Sequence, residues 1–211
     1  MRFRLRLFVP LLGLLLLLPM MPLSAAVLYS NGPITGNITA WTVDGDHNIT
    51  DSFQLSSPST ITGVIFGAWG YTGRTGLWAD WAITSTPFGP PLASGESTLS
   101  NTFLFHNSQG ADVSQESFTI PALFLNPGTY WLELDDTMTT GGYWFWWDQN
   151  NGPSQAQRVS SYDGASISSE SFQILGSAEA VPEPGSPGLL VSGTVVMILA
   201  LVGKRNSRRQ R

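Results

Sequence analysis

Cysteine is absent from this chain of 211 residues. Its absence excludes a disulfide framework, a thiol nucleophile and a cysteine-ligated metal. Histidine is nearly as scarce, because His47 and His106 are the only two in the sequence, and neither a G-x-S-x-G nor an H-E-x-x-H motif occurs. Since these residue patterns of common hydrolases and metalloproteases are missing, we expect a protein that is not an enzyme.

Positive charge is scarce in the middle of the chain. Charged residues make up only 12% of the sequence. Between Ala26 and Ala178, thirteen acidic residues are accompanied by only Arg74 and Arg158, which gives this region a net charge of −11. We expect no nucleic-acid partner, because the neutralisation of phosphates requires a basic face. The remaining basic residues lie at the two ends of the chain: Arg2, Arg4, Arg6, Lys204, Arg205, Arg208, Arg209 and Arg211.

Residues 1–26 have the composition of a secretory signal peptide. Three arginines precede an apolar run over residues 7–18, and two prolines follow it. Ser24 and Ala26 supply small residues at the −3 and −1 places of a cleavage site. We therefore predict export through the Sec machinery and cleavage after Ala26. The alternative is an uncleaved anchor, for which the apolar run is short.

From Val27 onward the sequence favours strands over helices. No segment combines a 3.6-residue apolar period with helix caps. Short runs rich in β-branched and aromatic residues are separated by clusters of Gly, Pro, Asn and Ser. In one run Leu132 and Leu134 fall on one face and Trp131 on the other. The spacing of the runs predicts an all-β domain over residues 27–178, an antiparallel β-sandwich or jelly roll of about ten strands.

Two of the predicted strands have features that a structure can test. Residues 61–69 are apolar at both odd and even positions, as in a strand that is covered on both faces. Phe118 and Ile120 belong to another strand, which we expect to end at Pro121.

The C-terminal residues combine three features in a fixed order. A proline-rich linker over residues 179–187 contains an acidic motif between prolines, and an apolar segment follows it over residues 188–203. As a helix this segment would be about 24 Å long at about 1.5 Å per residue, short for a bilayer core of about 30 Å. We predict a transmembrane helix there, and a basic stop at residues 204–211 that stays on the cytoplasmic side. The motif is Val181, Pro182, Glu183 and Pro184, and the basic stop is Lys204, Arg205, Arg208, Arg209 and Arg211.

This order of features resembles the PEP-CTERM sorting signal of exported bacterial proteins. The resemblance implies that an exosortase, a protease of the inner membrane, recognises the chain at Pro182, Glu183 and Pro184. It also implies a Gram-negative-type bacterium, with passage through the inner membrane and a final location at the cell surface or in an exopolysaccharide matrix. The alternative for the tail is an ordinary single-span anchor. The S-x-x-T-I-T-G-V-x-F-G-A-W and G-T-Y-W-L-E-L phrases are similar to those of other PEP-CTERM proteins and imply no activity.

A tryptophan-rich hairpin is the candidate binding site. Alternation places Trp144, Trp146 and Asp148 on one face of a predicted strand, and Trp131 lies on the strand before it. Exposed aromatic rings beside a carboxylate suit stacking on sugar rings. We hypothesise that these four residues contact extracellular polysaccharide. The alternative is that all the rings pack in the core of the domain.

A second candidate is a calcium loop. Asp44, Asp46, Asn48 and Asp51 place oxygen ligands at spacings that calcium loops use. The segment lacks the glycine and the glutamate that an EF-hand requires, so the alternative is a solvated turn. No other cofactor is expected.

Three functions are therefore compared. The first is an exported cell-surface or matrix protein without catalytic activity. The second is a carbohydrate-binding module that uses the tryptophan-rich face. The third is a glycan-active enzyme, for which Glu133 and Asp148 would be the pair of carboxylates.

Overall fold

The structure is a computed structural model that describes residues 25–142, 145–160 and 164–179. These residues contain thirteen β-strands and no helix. The chain divides into two units, Met1–Ser177 and Ala178–Arg211. In chain order the strands are β1 (Ala26–Ser30), β2 (Ala40–Thr42), β3 (Asn48–Leu55), β4 (Ser59–Gly70), β5 (Gly76–Thr84), β6 (Pro91–Thr98), β7 (Ser100–His106), β8 (Asp112–Leu125), β9 (Gly128–Thr139), β10 (Phe145–Asp148), β11 (Ala156–Val159), β12 (Gly164–Ile167) and β13 (Phe172–Ala178).

The strands form two antiparallel sheets, as the sequence predicts. Sheet A has the order β1-β13-β4-β10-β2, with β8 paired to β4 and β7 paired to β8. Sheet B has the order β12-β11-β3-β9-β5-β6. The count of about ten strands was too low, because β2, β11 and β12 have only three or four residues and β6 lacks an apolar alternation.

One buried cluster takes side chains from both sheets, which makes the fold sandwich-like. Leu132 and Leu134 of sheet B are fully buried, so the face that the alternation assigns to both of them is the core face. In sheet A the ring of Phe66 lies 6.1 Å from those of Phe145 and Trp147, with edge-to-face angles of 80° and 72°. Such pairs add about 0.5–1.5 kcal/mol beyond the burial of their area.

Strand β4 is covered on both faces, which confirms the prediction for residues 61–69. Phe66 and Ala68 face the core and are fully buried. The next residue, Gly67, is on the opposite face, where a Cβ atom would lie only 2.9 Å from side-chain carbons of Ile34. The segment between β1 and β2 therefore lies across the outer face of sheet A.

Strand β8 does not end at Pro121, so that prediction was wrong. The strand continues to Leu125, and its pairing with β4 shifts between Ile61 and Gly63, opposite the proline. A proline cannot donate to the ladder, but it is tolerated where a bulge interrupts the pairing. Because the bulge accommodates Pro121, β8 continues beyond a residue type that usually ends a strand.

The predicted signal and sorting segments lie almost wholly outside the described residues. Ala26 is the first residue of β1 and pairs with Gly176, and cleavage after it would leave the rest of β1 paired with β13. Residues 1–24 and 180–211, with the linker motif, the apolar segment and the basic stop, are outside the description. Within the described ranges, no helix has the length and apolar character needed to cross a bilayer.

Candidate functional site

Two tryptophans lie together on the outer face of sheet A. The register places Trp146 of β10 directly opposite Trp69 of β4. Directly opposite side chains lie on the same face of an antiparallel pair. Phe145 and Trp147, on either side of Trp146, are buried in the core. The predicted alternation along this strand is therefore confirmed, and Trp146 points away from the core.

Tyr71 completes an aromatic corner with these tryptophans. It follows β4, two residues after Trp69, and its side chain is 48% exposed. Its ring centroid lies 5.3 Å from that of Trp146, and the two rings stand at 83°. The guanidinium of Arg74 lies 5.6 Å from the centroid of Tyr71 and helps to hold this ring in place.

The corner opens into a cavity of about 290 Å³, which we call the aromatic pocket. This volume is at the lower end of the range for small-molecule sites, about 300–1,000 Å³. None of the lining residues is charged. They are Thr39, Ala40, Trp69, Tyr71, Gln109, Gly110, Ala111 and Trp146.

Asp148 supports the aromatic pocket through hydrogen bonds from Trp69 and from the segment before β2. It is fully buried, and its carboxylate accepts four hydrogen bonds, three of which come from the segment before β2 and from Trp69. The donors are Trp69 Nε1 at 2.7 Å, Thr35 N at 2.9 Å, Gly36 N at 2.9 Å and Ser171 Oγ at 3.0 Å. Burial raises the pKa of Asp148, and the four donors oppose that rise.

The predicted contact between Asp148 and a glycan is therefore corrected. A carboxylate without exposed surface, whose oxygens already accept four hydrogen bonds, has no free edge for a sugar hydroxyl. Asp148 instead fixes the orientation of the Trp69 indole and anchors the loop that borders the pocket.

The loop before β2 fits closely against sheet A at Gly36. Its φ angle is +64°, in the left-handed region that favours glycine. A Cβ atom there would lie 2.7 Å from the ring of Phe105 and from Val113. Glycine is thus required twice, by the backbone conformation and by the space. The close fit brings the Gly36 amide within reach of Asp148.

The tryptophan-rich hairpin does not form one continuous face. Trp131 lies on β9 in sheet B and is 7% exposed, whereas Trp146 lies in sheet A. Trp144 is outside the described residues. Sequence reasoning missed Tyr71 and Gln109. The signal for Tyr71 was its position two residues after Trp69, which places both on one face of an extended strand.

The calcium loop predicted at residues 44–51 is not formed. Asp44 and Asp46 lie in a turn before β3, and Asn48 donates a hydrogen bond to Glu133 Oε1 at 3.3 Å. Asp51 is fully buried inside β3. Among the described residues, no three acidic or histidine side chains converge closely enough to hold a metal ion.

The carboxylate pair considered for glycoside hydrolysis does not form either. Asp148 is in sheet A, and Glu133 is in sheet B. Glu133 instead borders a groove of about 350 Å³ with three other acids, Asp80, Glu96 and Asp135. Asp80 lies directly opposite Glu96 and Asp135. Burial, together with the charges of Glu96 and Asp136, raises the pKa of Asp80. Like charges in such positions cost stability.

Comparisons with models of protein families, with curated proteins and with solved structures find no match to this chain. The aromatic pocket is a neutral site with two perpendicular rings and a polar rim. Such a site can bind a ligand that has an apolar face and a hydroxylated edge.

Proposed function

We propose that the folded domain binds neutral polysaccharide through the aromatic pocket. The observation that supports this proposal is the perpendicular pair of Tyr71 and Trp146 rings beside Trp69. A sugar ring has an apolar face of C–H groups, which packs on an aromatic ring, and a hydroxylated edge. The Gln109 amide and the Thr39 hydroxyl at the rim offer donors and acceptors to that edge.

Charge restricts the class of glycan. The region between Ala26 and Ala178 has a net charge of −11, which repels polyanionic chains over the whole surface. The pocket lining contains no basic side chain that would compensate for this repulsion. A neutral hexose polymer is therefore the ligand class that fits. The small cavity suits one ring, so retention on a matrix would depend on repeated units along the polymer.

The wider role that we propose is that of an exported cell-surface or matrix protein. Residues 1–26 would direct export, and the motif at Val181, Pro182, Glu183 and Pro184 would direct sorting by an exosortase. The helix over residues 188–203 would hold the chain in the inner membrane during transit. The domain, in this proposal a sandwich of the jelly-roll class, would then attach to exopolysaccharide outside the cell. The order of these segments and the acidic, cysteine-free composition of the domain support this role.

Replacing Tyr71 by alanine is expected to weaken binding to an insoluble neutral polysaccharide by about 5–10-fold. One aromatic contact of this kind contributes roughly 1–1.4 kcal/mol, which corresponds to that factor. The fold should be kept, since the ring is 48% exposed. Depletion of the purified full chain from solution by the polysaccharide measures the affinity.

Phe124→Ala is the matched control for Tyr71→Ala. Phe124 is an aromatic side chain of similar exposure, 54%, that does not line the pocket. The Phe124→Ala variant should bind the polysaccharide as tightly as the unmodified protein. Equal retention of the Tyr71→Ala and Phe124→Ala variants would contradict the proposed site.

The sorting proposal predicts the mature ends of the chain in its host. Mass spectrometry of the exported protein should find an N-terminus at Val27 and no peptide from residues 188–211. Replacing Glu183 by alanine should leave the C-terminal peptides attached. Recovery of only intact chains that end at Arg211 would count against processing.

A further inference from the structure

Glu170, in the connection between β12 and β13, is a buried carboxylate without a hydrogen-bond donor. Its exposure is 0%, and neither Oε1 nor Oε2 has a hydrogen-bond partner. The adjacent Gln149 lies close enough to lower the pKa of Glu170, but its amide nitrogen is directed to Ser168 O at 2.8 Å, and neither Glu170 oxygen has a donor in good hydrogen-bond geometry. A buried ionised group without partners is strongly disfavoured, so it must be neutralised by a proton or by a cation.

A second buried carboxylate lies beside Glu170. Asp51 of β3 is fully buried, and its Oδ2 accepts a hydrogen bond of 2.7 Å from the backbone nitrogen of Glu170. Asn31 Nδ2 also donates to Oδ2, at 3.4 Å. The other oxygen of Asp51, Oδ1, has no donor. Asp51 Oδ1 and both carboxylate oxygens of Glu170 therefore lack a hydrogen-bond donor, and the two carboxylates are close enough to repel each other.

No lysine or arginine side chain in the described part of the chain neutralises this pair. Arg74 and Arg158 are the only lysine or arginine residues between Ala26 and Ala178. Arg74 lies over the ring of Tyr71, and Arg158 lies 4.4 Å from the ring centroid of Trp41. The repulsion between Asp51 and Glu170, to which Asp148 adds, is thus left without a compensating charge among the described residues.

We propose that Asp51 and Glu170 together bind a calcium ion. Two carboxylates balance a double positive charge, and an all-oxygen ligand set suits a hard cation. The buried hydroxyl of Ser154 lies close enough to lower the pKa of Asp51 but has no hydrogen-bond partner in good geometry, so its oxygen is available as a neutral ligand. With the three carboxylate oxygens it makes four of the six to eight ligands that calcium takes, and backbone carbonyls and water would supply the rest.

The expected affinity follows from the small number of charged ligands. Described residues offer no group of three acidic or histidine ligands, so only two carboxylates bind the ion. Sites of this class in extracellular modules have dissociation constants of about 0.1–1 mM. The ion would connect β3 of sheet B to the segment before β13 of sheet A. This inference is independent of the saccharide proposal, because the aromatic pocket contains neither residue.

The test is a calcium titration of the purified full chain after treatment with a chelator. Thermal unfolding, followed by tryptophan fluorescence, should shift upward by about 5 °C between 0 and about 10 mM calcium. Magnesium at the same ionic strength should have much less effect, because it demands a smaller, octahedral site. Calorimetric titration should give one calcium ion per chain with half-saturation in the range stated above.

Two variants show whether calcium binds at Asp51 and Glu170 or in the acidic groove of sheet B. Glu170→Gln should lose the calcium response, and Glu133→Gln, which changes a carboxylate of the groove, should keep it. A response that disappears in Glu133→Gln and persists in Glu170→Gln would overturn the proposal. So would an unmodified protein that neither binds nor responds to about 10 mM calcium, since Glu170 would then be held as a neutral acid. If Glu170→Gln does not fold, calorimetry on the unmodified chain and on Glu133→Gln still decides the question, because loss of calcium binding in Glu133→Gln would place the ion in the groove.

Discussion

Replacing Asp148 by alanine is expected to destabilise the domain by about 3–5 kcal/mol. The substitution leaves four donors without their acceptor, among them the buried indole N–H of Trp69 and the amide of Gly36. Each buried donor that loses its partner costs about 1–3 kcal/mol, less whatever water or local relaxation recovers. A loss of this size is a large fraction of the total stability of a single domain.

Urea unfolding measures this effect. For Asp148→Ala the urea concentration at the midpoint of unfolding should fall, and the slope of the free energy of unfolding against urea concentration should stay the same. Asp148→Asn should lose less stability, because one acceptor oxygen remains. Asp112→Ala is the matched control. Asp112 accepts a hydrogen bond from Gly73 N at 2.9 Å and lies 2.6 Å from His106 Nδ1, but both contacts are at the surface, so its removal should cost less than about 1 kcal/mol. Similar losses in Asp148→Ala and Asp112→Ala would contradict the supporting role of Asp148.

Asp148→Ala should also weaken saccharide binding, in addition to its effect on the stability of the domain. At a temperature where Asp148→Ala is still folded, Trp69 has lost the hydrogen bond that orients its indole, and the loop at Thr35 and Gly36 has lost its anchor. Saccharide binding should therefore weaken even though Asp148 does not contact the ligand. This expectation depends on the proposed function, whereas the loss of stability does not.

The faces of individual strands could be predicted from the sequence. Alternation alone placed Leu132 and Leu134 on a shared face and Trp146 on the face opposite its two neighbours, because the side-chain period of a strand is fixed at two. Which of the two faces is buried became clear only from the structure. Short polar strands such as β11 and β12 were missed, since they have no such pattern and form only through their pairing with β3 and with each other.

The pocket could not be predicted, because it depends on register and on sheet assignment. Trp146 lies opposite Trp69, 77 positions away in the chain, and no local pattern encodes that pairing. Trp131 was grouped with Trp146 because they are close in sequence, but the chain passes from sheet B to sheet A between them. Proximity in sequence is a poor guide to proximity in space wherever consecutive strands belong to different sheets.

The burial of carboxylates was also hidden from the sequence. Asp51, Glu116, Asp148 and Glu170 were counted in the net negative charge of the region between Ala26 and Ala178 without any sign of their burial, but all four are fully buried. Only two arginines are present in this region, and neither forms an ion pair with any of these four carboxylates. Asp148 has four hydrogen-bond donors and Glu116 has one, whereas the two oxygens of Glu170 have none. Stability should therefore depend on pH through groups that composition alone places on the surface.

Glu116 provides the sharpest test of this dependence. It lies on β8 opposite Phe66, its Oε1 accepts a hydrogen bond from Ser114 Oγ at 2.7 Å, and its Oε2 has no donor. Burial raises the pKa of Glu116 to about 7 from its ordinary value of 4.5. Between these two pH values the folded state keeps a proton that the unfolded state has released. The contribution of this carboxyl is thus fully present below pH 4.5 and is lost as the pH rises through about 7.

Glu116→Gln should raise the free energy of unfolding at pH 8 by about 2–3 kcal/mol and change it little at pH 4.5. The amide keeps the size of the side chain and removes the charge, and a pKa difference of this size corresponds to about 3 kcal/mol of lost stability in the unmodified protein. Urea unfolding at several pH values, with a chelator present to exclude bound cations, measures the difference. Asp46→Asn removes one charge from an exposed turn and should show only the small effect of lower self-repulsion. If Glu116→Gln retained the full decline in stability between pH 5 and pH 8, the neutral state of Glu116 in the folded protein would be refuted. The decline would then have to come from other buried carboxylates, such as Asp51, whose pKa burial raises to about 6, and Glu170, whose pKa burial raises well above its ordinary value.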